Sequence, residues 1–344
     1  MLENLIKLAK NYQNNYFAEK TLKRNSRNRL TQPIFIEEIF ASKPATNRII
    51  LLTERDDLYG RSFFLNALGA EIHREMPSSL KGDEIAICFG YNALLRHSKN
   101  IYKSKIDKIF FVEAGFLRSV LLDNSSSIYD QAICFFVDDL GFHFDATVST
   151  RIEAALNDRE FVVSPSDILR AAALRKQIVD HNLTKYNDQD LSSSLEKQSR
   201  PRVLVVEQAK NDWAVLKSGG SSRSFSKMLH AAIAQNPDAE ILVKVHPDTL
   251  DGKRGGARRS YYGRLQDDDR IKIIRDKVNP YTLLGEVEKV YVFSSMLGFE
   301  AALMGKEVHV FGKPCYAGWG LTIDYQEFSR RSRTRTLDEI VFII

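Results

Sequence analysis

Short apolar runs separated by helix-period stretches recur along most of the chain. Arg48-Ile-Ile-Leu-Leu52, Glu84-Ile-Ala-Ile-Cys-Phe89, Lys108-Ile-Phe-Phe-Val112 and Ala132-Ile-Cys-Phe-Phe-Val137 read as strands, with a helix around Phe63 to Leu68 that ends near Gly69. Runs that stay apolar rather than alternating belong to strands covered on both faces, which is the pattern of a mostly parallel sheet. Helical period resumes at Ser149-Thr-Arg-Ile-Glu-Ala-Ala-Leu, and again from Ser164-Pro165-Ser166-Asp167 to about His181, where a hydroxyl and a proline open the helix. Residues 183–201 are polar and nearly free of aliphatics, so the linker is placed there. A second α/β stretch follows. Val203 to Val206, Glu240 to Val245, Arg270 to Ile274, Val290 to Phe293 and Val308 to Phe311 read as strands, and Ser224 to Ala234 as a helix. A further helix carries Phe299, Ala302 and Leu303 on one face and closes at Gly305. The expected architecture is α/β with two Rossmann-like domains, residues 1–182 and 202–344. Residues 1–30 read as an amphipathic helix followed by a basic segment.

Composition narrows the class. The chain has 344 residues, 44% apolar and 27% charged, which suits two soluble globular domains. No apolar run reaches about 18 residues, and the N-terminus lacks the apolar stretch of a secretory signal, so a cytoplasmic protein is expected. Cys88, Cys134 and Cys315 lie far apart without metal-ligand spacing, so neither a disulfide framework nor a zinc site is expected. The net charge is a modest +5, but residues 253–259 and 329–335 form cationic tracts. They read either as solvated loops or as attractors of phosphate groups on a nucleotide or an anionic lipid; no nucleic-acid motif accompanies them. The apolar, abrupt end at Asp338 to Ile344 hints at a chain that continues.

Open parallel sheets place ligands at the carboxyl ends of their strands, so polar residues just after strands are the candidates. No dinucleotide or P-loop glycine fingerprint is present. Glu113 and Arg118 follow the third strand, where Glu113 reads either as a turn or capping carboxylate or as a group facing a ligand. Asp138-Asp139-Leu-Gly reads as a turn rather than a metal site. Glu207 and Gln208 follow the strand ending at Val206. His246 follows Lys244 and Val245, and Pro247 restricts it to extended geometry. Ser294 and Ser295 stand between a strand and a helix, either as ordinary caps or as part of a phosphate cradle.

These residues carry a family resemblance. Glu113-Ala-Gly-Phe-Leu-Arg-Ser, Val137-Asp-Asp-Leu-Gly-Phe-His-Phe-Asp-Ala, Val203-Leu-Val-Val-Glu-Gln, Lys244-Val-His-Pro-Asp and the block from Ser294 to Tyr316-Ala-Gly-Trp-Gly-Leu-Thr322 appear in order over roughly two-thirds of the chain. The chain resembles the bacterial capsule and O-antigen β-Kdo glycosyltransferases. The resemblance implies a GT-B-like fold of two facing Rossmann-like domains, and transfer of Kdo with retention from CMP-Kdo to a glycan or glycolipid acceptor. It implies no metal and no other cofactor. It assigns acid/base work to Glu113 and donor binding to His246, Ser294 and Ser295. Lys244, Pro247, Gln208, Arg118, Tyr316 and Gly318 join the expected donor site. Glu207 stands where the family's nucleophile is an aspartate, and Ala114 replaces a family acid. Peripheral contact with the anionic inner membrane, through the basic tracts, completes the expectation. The alternatives are another donor, such as CMP-sialic acid, or a non-catalytic glycan-binding or assembly subunit.

Overall fold

A computed structural model describes residue 20 and residues 49–52, 71–73, 84–104, 106, 108–119, 134–192, 195–196, 199–246, 249 and 260–344. The N-terminal helix, the helix at 63–68, Pro247 and the cationic tract 253–259 of the sequence analysis lie outside those residues. The described chain forms two compact units.

The first unit holds the described residues up to His143, together with Val148–Ala155. Its sheet contains β1 (Ile49–Leu52), β2 (Glu71–His73), β3 (Ile85–Phe89), β4 (Lys108–Ala114) and β5 (Phe135–Asp138), ordered β2-β1-β3-β4-β5. All pairings are parallel except β4 with β5. Helix α1 (Tyr91–Ser104) buries Tyr91, Leu94, Ser98 and Ile101, one stripe at helical spacing. The Tyr91 and Phe111 rings both pack on Phe142, with centroids 5.4 and 5.3 Å away. Asp138 makes the turn expected of it. Its Oδ1 accepts from the Leu140 and Gly141 amides, and Oδ2 accepts from the Arg151 amide where α2 (Arg151–Asn157) begins. Asp139 pairs with the Arg151 guanidinium at 2.5 and 2.9 Å.

The second unit comprises Phe144–Thr147 and Leu156–Ile344. Its sheet contains β6 (Arg202–Val206), β7 (Glu240–Lys244), β8 (Ile271–Ile274), β9 (Lys289–Val292), β10 (Glu307–Val310) and β11 (Ile323–Asp324). All pairings are parallel, in the order β11-β10-β9-β6-β7-β8. Counted from β6 this is the order 3-2-1-4-5-6 of doubly wound nucleotide-binding sheets, and the order reverses between β6 and β9. Every residue of β6 is buried, because both faces are covered. Val203 and Val205 belong to a core with Phe225, Met228, Leu229 and Ala232, which form one stripe of α5 (Ser222–Gln235). The short α4 (Trp213–Lys217) precedes α5.

Two boundaries differ from the sequence reading. Helix α3 (Pro165–Asp180) begins at the expected cap, with Ser164 Oγ accepting from the Asp167 amide, but it belongs to the second unit. Residues 183–192 are not a free linker either. Asp190 bridges to Val278, the Asn279 amide donates to the Asp190 carbonyl, and the Thr184 hydroxyl bonds the buried Glu300 carboxylate. Asn279 and Thr282, at the start of α6 (Pro280–Gly285), donate to the Asn182 and Leu191 carbonyls, and Thr184 ties the segment to α7 (Leu297–Leu303), so it is bound mainly through its backbone.

The tract 329–335 also departs from expectation. Arg330 donates to the Ala146 carbonyl and Arg331 to those of Pro314 and Ala317, with its guanidinium 4.6 Å from the Phe328 ring centroid. Arg333 bonds the Asp158 carbonyl, and the buried Arg335 bonds the Leu156 and Asp158 carbonyls and Glu339. These cations close the chain onto its own backbone ahead of α8 (Leu337–Ile343), which the Thr336–Glu339 capping box starts.

The turn from α4 into α5 depends on missing side chains. A Cβ on Gly220 would lie 2.4 Å from Val215 Cγ1 and 2.6 Å from Phe293 Cε1, whereas one on Gly219 would meet nothing within 4 Å. Gly220→Ala is expected to cost roughly 1–3 kcal/mol by overpacking. Gly219 has φ +75, so Gly219→Ala is expected to cost about 1 kcal/mol through backbone strain alone. Urea titration of both variants checks the order, and equal losses would contradict it.

Candidate functional site

Open parallel sheets form a ligand crevice beyond the carboxyl ends of the strands where their order reverses, which in the second unit is beyond β6 and β9. Register pairs the two strands as far as Val205 with Tyr291. Beyond that point a side chain continues the bonding. Gln208 Oε1 accepts from the Ser294 amide at 2.9 Å, and its Nε2 donates to Ser294 Oγ at 3.2 Å. Ser294 Oγ in turn donates to the Ala214 carbonyl at 3.1 Å. Gln208 and Ser294 are both buried, so this network floors the crevice.

Ser295 stands one residue further out and is half-buried. Its hydroxyl accepts from the Leu297 amide, and its carbonyl accepts from Tyr316 Oη at 2.6 Å. Gly298 makes room for that phenol, since a Cβ there would lie 2.3 Å from it. The Tyr316-Ala-Gly-Trp-Gly320 block is therefore a support behind the site. Tyr316 and Trp319 are fully buried, and the Trp319 indole donates to the Cys315 carbonyl. Gly318 has φ +81 and its amide donates to Asp324. Of Tyr316 and Gly318, both expected among donor-binding residues, Tyr316 is buried behind Ser295 and Gly318 is half-buried.

At the mouth of β6, Glu207 is 2% exposed. Its Oε1 accepts from Ser260 Oγ at 2.6 Å and the Tyr262 amide at 2.9 Å. Its Oε2 accepts from the His246 amide at 3.2 Å and lies 3.4 Å from Thr249 Oγ1. His246 is thus placed beside Glu207 through its backbone, and it stays half-buried. Lys244 is buried, and its ammonium donates to the Asp276 carbonyl at 2.5 Å. Burial pushes its pKa down to about 8. Lys244, expected in the donor site, is thus held on a backbone carbonyl at the edge of the sheet's carboxyl end.

Lys210, which the resemblance makes a candidate for the donor's carboxylate, and residues not singled out in the sequence complete the mouth. Tyr261 stacks on Phe225 with centroids 3.8 Å apart and planes 5° apart, and the Lys210 ammonium lies 5.6 Å from the Tyr261 centroid. Asp212 caps α4 through the Ala214 amide. The Ser-Tyr-Tyr run at 260–262 was the one available signal, but its partners are distant in sequence. In the first unit, Glu113 ends β4 half-buried, and its Oε2 lies 3.9 Å from where a Cβ on Gly90 would stand. Arg118 is buried in that unit.

The fold defines the class: an α/β, GT-B-like protein with mostly parallel sheets. The comparisons then place the chain in a family. A family model described as capsule polysaccharide biosynthesis protein matches residues 165–343, more than half of the chain, and the protein belongs to that family. Capsule polysaccharide modification protein LipA of Neisseria meningitidis serogroup B is 36% identical over 230 residues, 65% of this chain and 31% of LipA. Lipopolysaccharide-processing protein LpsZ of Rhizobium meliloti is 32% identical over 248 residues, 72% of this chain and 55% of LpsZ. The chain therefore spans between about a third and about half of these relatives. Among solved structures, Thermosulfurimonas dismutans KpsC, β-Kdo 2,4 transferase, is 31% identical with a TM-score of 0.75, covering 86% of this chain and 89% of that one. The KpsC β-Kdo 2,7 transferase from the same organism shares the fold at 20% identity and a TM-score of 0.58.

Behind the site, the Glu300 carboxyl is buried in α7, and burial pushes its pKa up to about 7. In the folded chain it stays protonated while the unfolded chain ionises near pH 4.5, so its contribution to stability falls as pH rises from about 4.5 to about 7. Glu300→Gln is expected to remove that slope and to gain on the order of 2 kcal/mol over wild type between pH 5 and pH 8. Denaturant titrations at both pH values check this; parallel curves would contradict it.

Proposed function

We propose that this protein is a glycosyltransferase that moves Kdo from CMP-Kdo to a glycan or glycolipid acceptor in surface-polysaccharide biosynthesis, with retention at the anomeric carbon. The observation that carries the reading is the crevice between β6 and β9, floored by Gln208 and Ser294, in a chain 31% identical to a β-Kdo 2,4 transferase over most of both chains. CMP leaves as a phosphomonoester. His246 and Ser295, at the rim of that crevice, are the groups proposed to stabilise its charge. Lys210, on the Tyr261 ring, is the proposed partner for the donor's carboxylate or phosphate.

Glu113 is proposed as the acid/base group. Transfer to a hydroxyl needs one side chain that takes the acceptor's proton, and a half-buried carboxylate at a strand end suits that work. The proposed workplace is the cytoplasmic face of the inner membrane, where glycolipid acceptors are built. Among the described residues no helix is long and apolar enough to cross a membrane. With arginines 330–335 engaged on backbone carbonyls, peripheral contact would fall to other surface cations.

The test is incubation with CMP-Kdo and Kdo-terminated glycolipid acceptors, with CMP release measured and the new linkage assigned by NMR. A β-linked Kdo product is expected, and Glu113→Gln should lower kcat by roughly 10²–10⁴-fold while donor affinity persists. Turnover of CMP-sialic acid in preference to CMP-Kdo would overturn the donor assignment. Donor binding without turnover on any such acceptor would favour the non-catalytic subunit.

A further inference from the structure

We propose that Glu207 is a positioning residue, one that seats the Tyr261–Lys210 pair at the donor crevice, and is not the group that attacks the sugar. The inference rests on the proposed donor reading. A carboxylate offers about four acceptor sites. At Glu207 the hydroxyl of Ser260 and the amides of Tyr262 and His246 occupy three of them, and Thr249 Oγ1, which donates to the His246 carbonyl at 2.6 Å, stands 3.4 Å from Oε2. With 2% of its surface exposed, those donors replace the water lost on burial. Attack on an anomeric carbon requires an oxygen lone pair that faces the sugar, and here both oxygens face the protein's own backbone and hydroxyls.

The donors come from a segment with a defined task. Ser260 and Tyr262 flank Tyr261, so bonds on both sides of it fix its backbone. The Tyr262 hydroxyl, bonded to the Phe225 carbonyl at 2.9 Å, anchors the same segment to α5. Tyr261 itself is left half-buried, with its ring flat on Phe225 and the Lys210 ammonium 5.6 Å from its centroid. Lys210 lies three residues beyond Glu207, so one short stretch carries both the anchor and the cation. The buried anion thus organises an aromatic–ammonium pair suited to an anionic sugar nucleotide. It works at a distance from the reacting carbon.

Steady-state kinetics of Glu207→Gln with CMP-Kdo, alone and combined with Tyr261→Ala, tests this. A positioning role predicts a donor KM raised about tenfold or more and kcat within about tenfold of wild type. It also predicts a double variant little worse than Tyr261→Ala alone, because both changes remove the same seat. A fall in kcat of about 10⁴-fold or more, with donor KM and melting temperature unchanged, would overturn the proposal. Should Glu207→Gln fail to fold, Tyr261→Ala and Lys210→Met are read against wild type. A raised donor KM supports the seat, and an unchanged one overturns it. A wild type inert towards CMP-Kdo refutes the donor reading itself, whereas an active wild type with a folded, donor-binding, inactive Glu207→Gln refutes only the role given to Glu207.

Discussion

The second unit depends on one side-chain amide at the point where two parallel strands part. β6 and β9 stop pairing at Val205 and Tyr291, and chain that diverges there would leave buried amides without partners. Gln208 supplies both an acceptor and a donor to Ser294, so the ladder is continued by a side chain for one more step. The crevice beyond therefore has a rigid floor, and Ser294 is fixed before any ligand arrives. Ser295, Tyr316 and Gly298 extend that rigidity on the β9 side, while Glu207 does so on the β6 side.

Burial decides which polar residues can meet a substrate. Lys244, Ser294, Tyr316 and Glu207 all carry suitable chemistry, and all are bonded inside the fold. Those still half-exposed at the same mouth are His246, Ser295 and Tyr261. An inner ring of buried, bonded groups holding an outer ring of half-exposed ones is how a site keeps its geometry. The basic tract at 329–335 follows the same logic, since its guanidiniums bond backbone carbonyls and its charge serves closure of the chain.

Local patterns were legible in the sequence and distant pairings were not. Strands such as Val203 to Val206, and the start of α3 at Ser164 and Pro165, follow from apolar runs and capping chemistry that act within a few residues. The pairing of β6 with β9 joins residues more than 80 apart, and no local pattern encodes it. For the same reason the Ser-Ser pair read equally as a helix cap or as part of a phosphate cradle, and neither reading showed that Ser294 is bonded to Gln208. Residues 183–192 looked like a linker because composition does not reveal that their backbone bridges Val278 and accepts from Thr282, or that Thr184 bonds Glu300. The candidate residues at strand ends were found because parallel sheets put them there; their states of engagement needed the fold.

A crystal structure with CMP bound tests the central claim most directly. CMP lying across the carboxyl ends of β6 and β9, with its phosphate within hydrogen-bonding reach of Ser295 or His246, is the expected result. CMP bound away from that crevice, with Gln208 and Ser294 untouched by it, would contradict the assignment of the second unit as the donor-binding one.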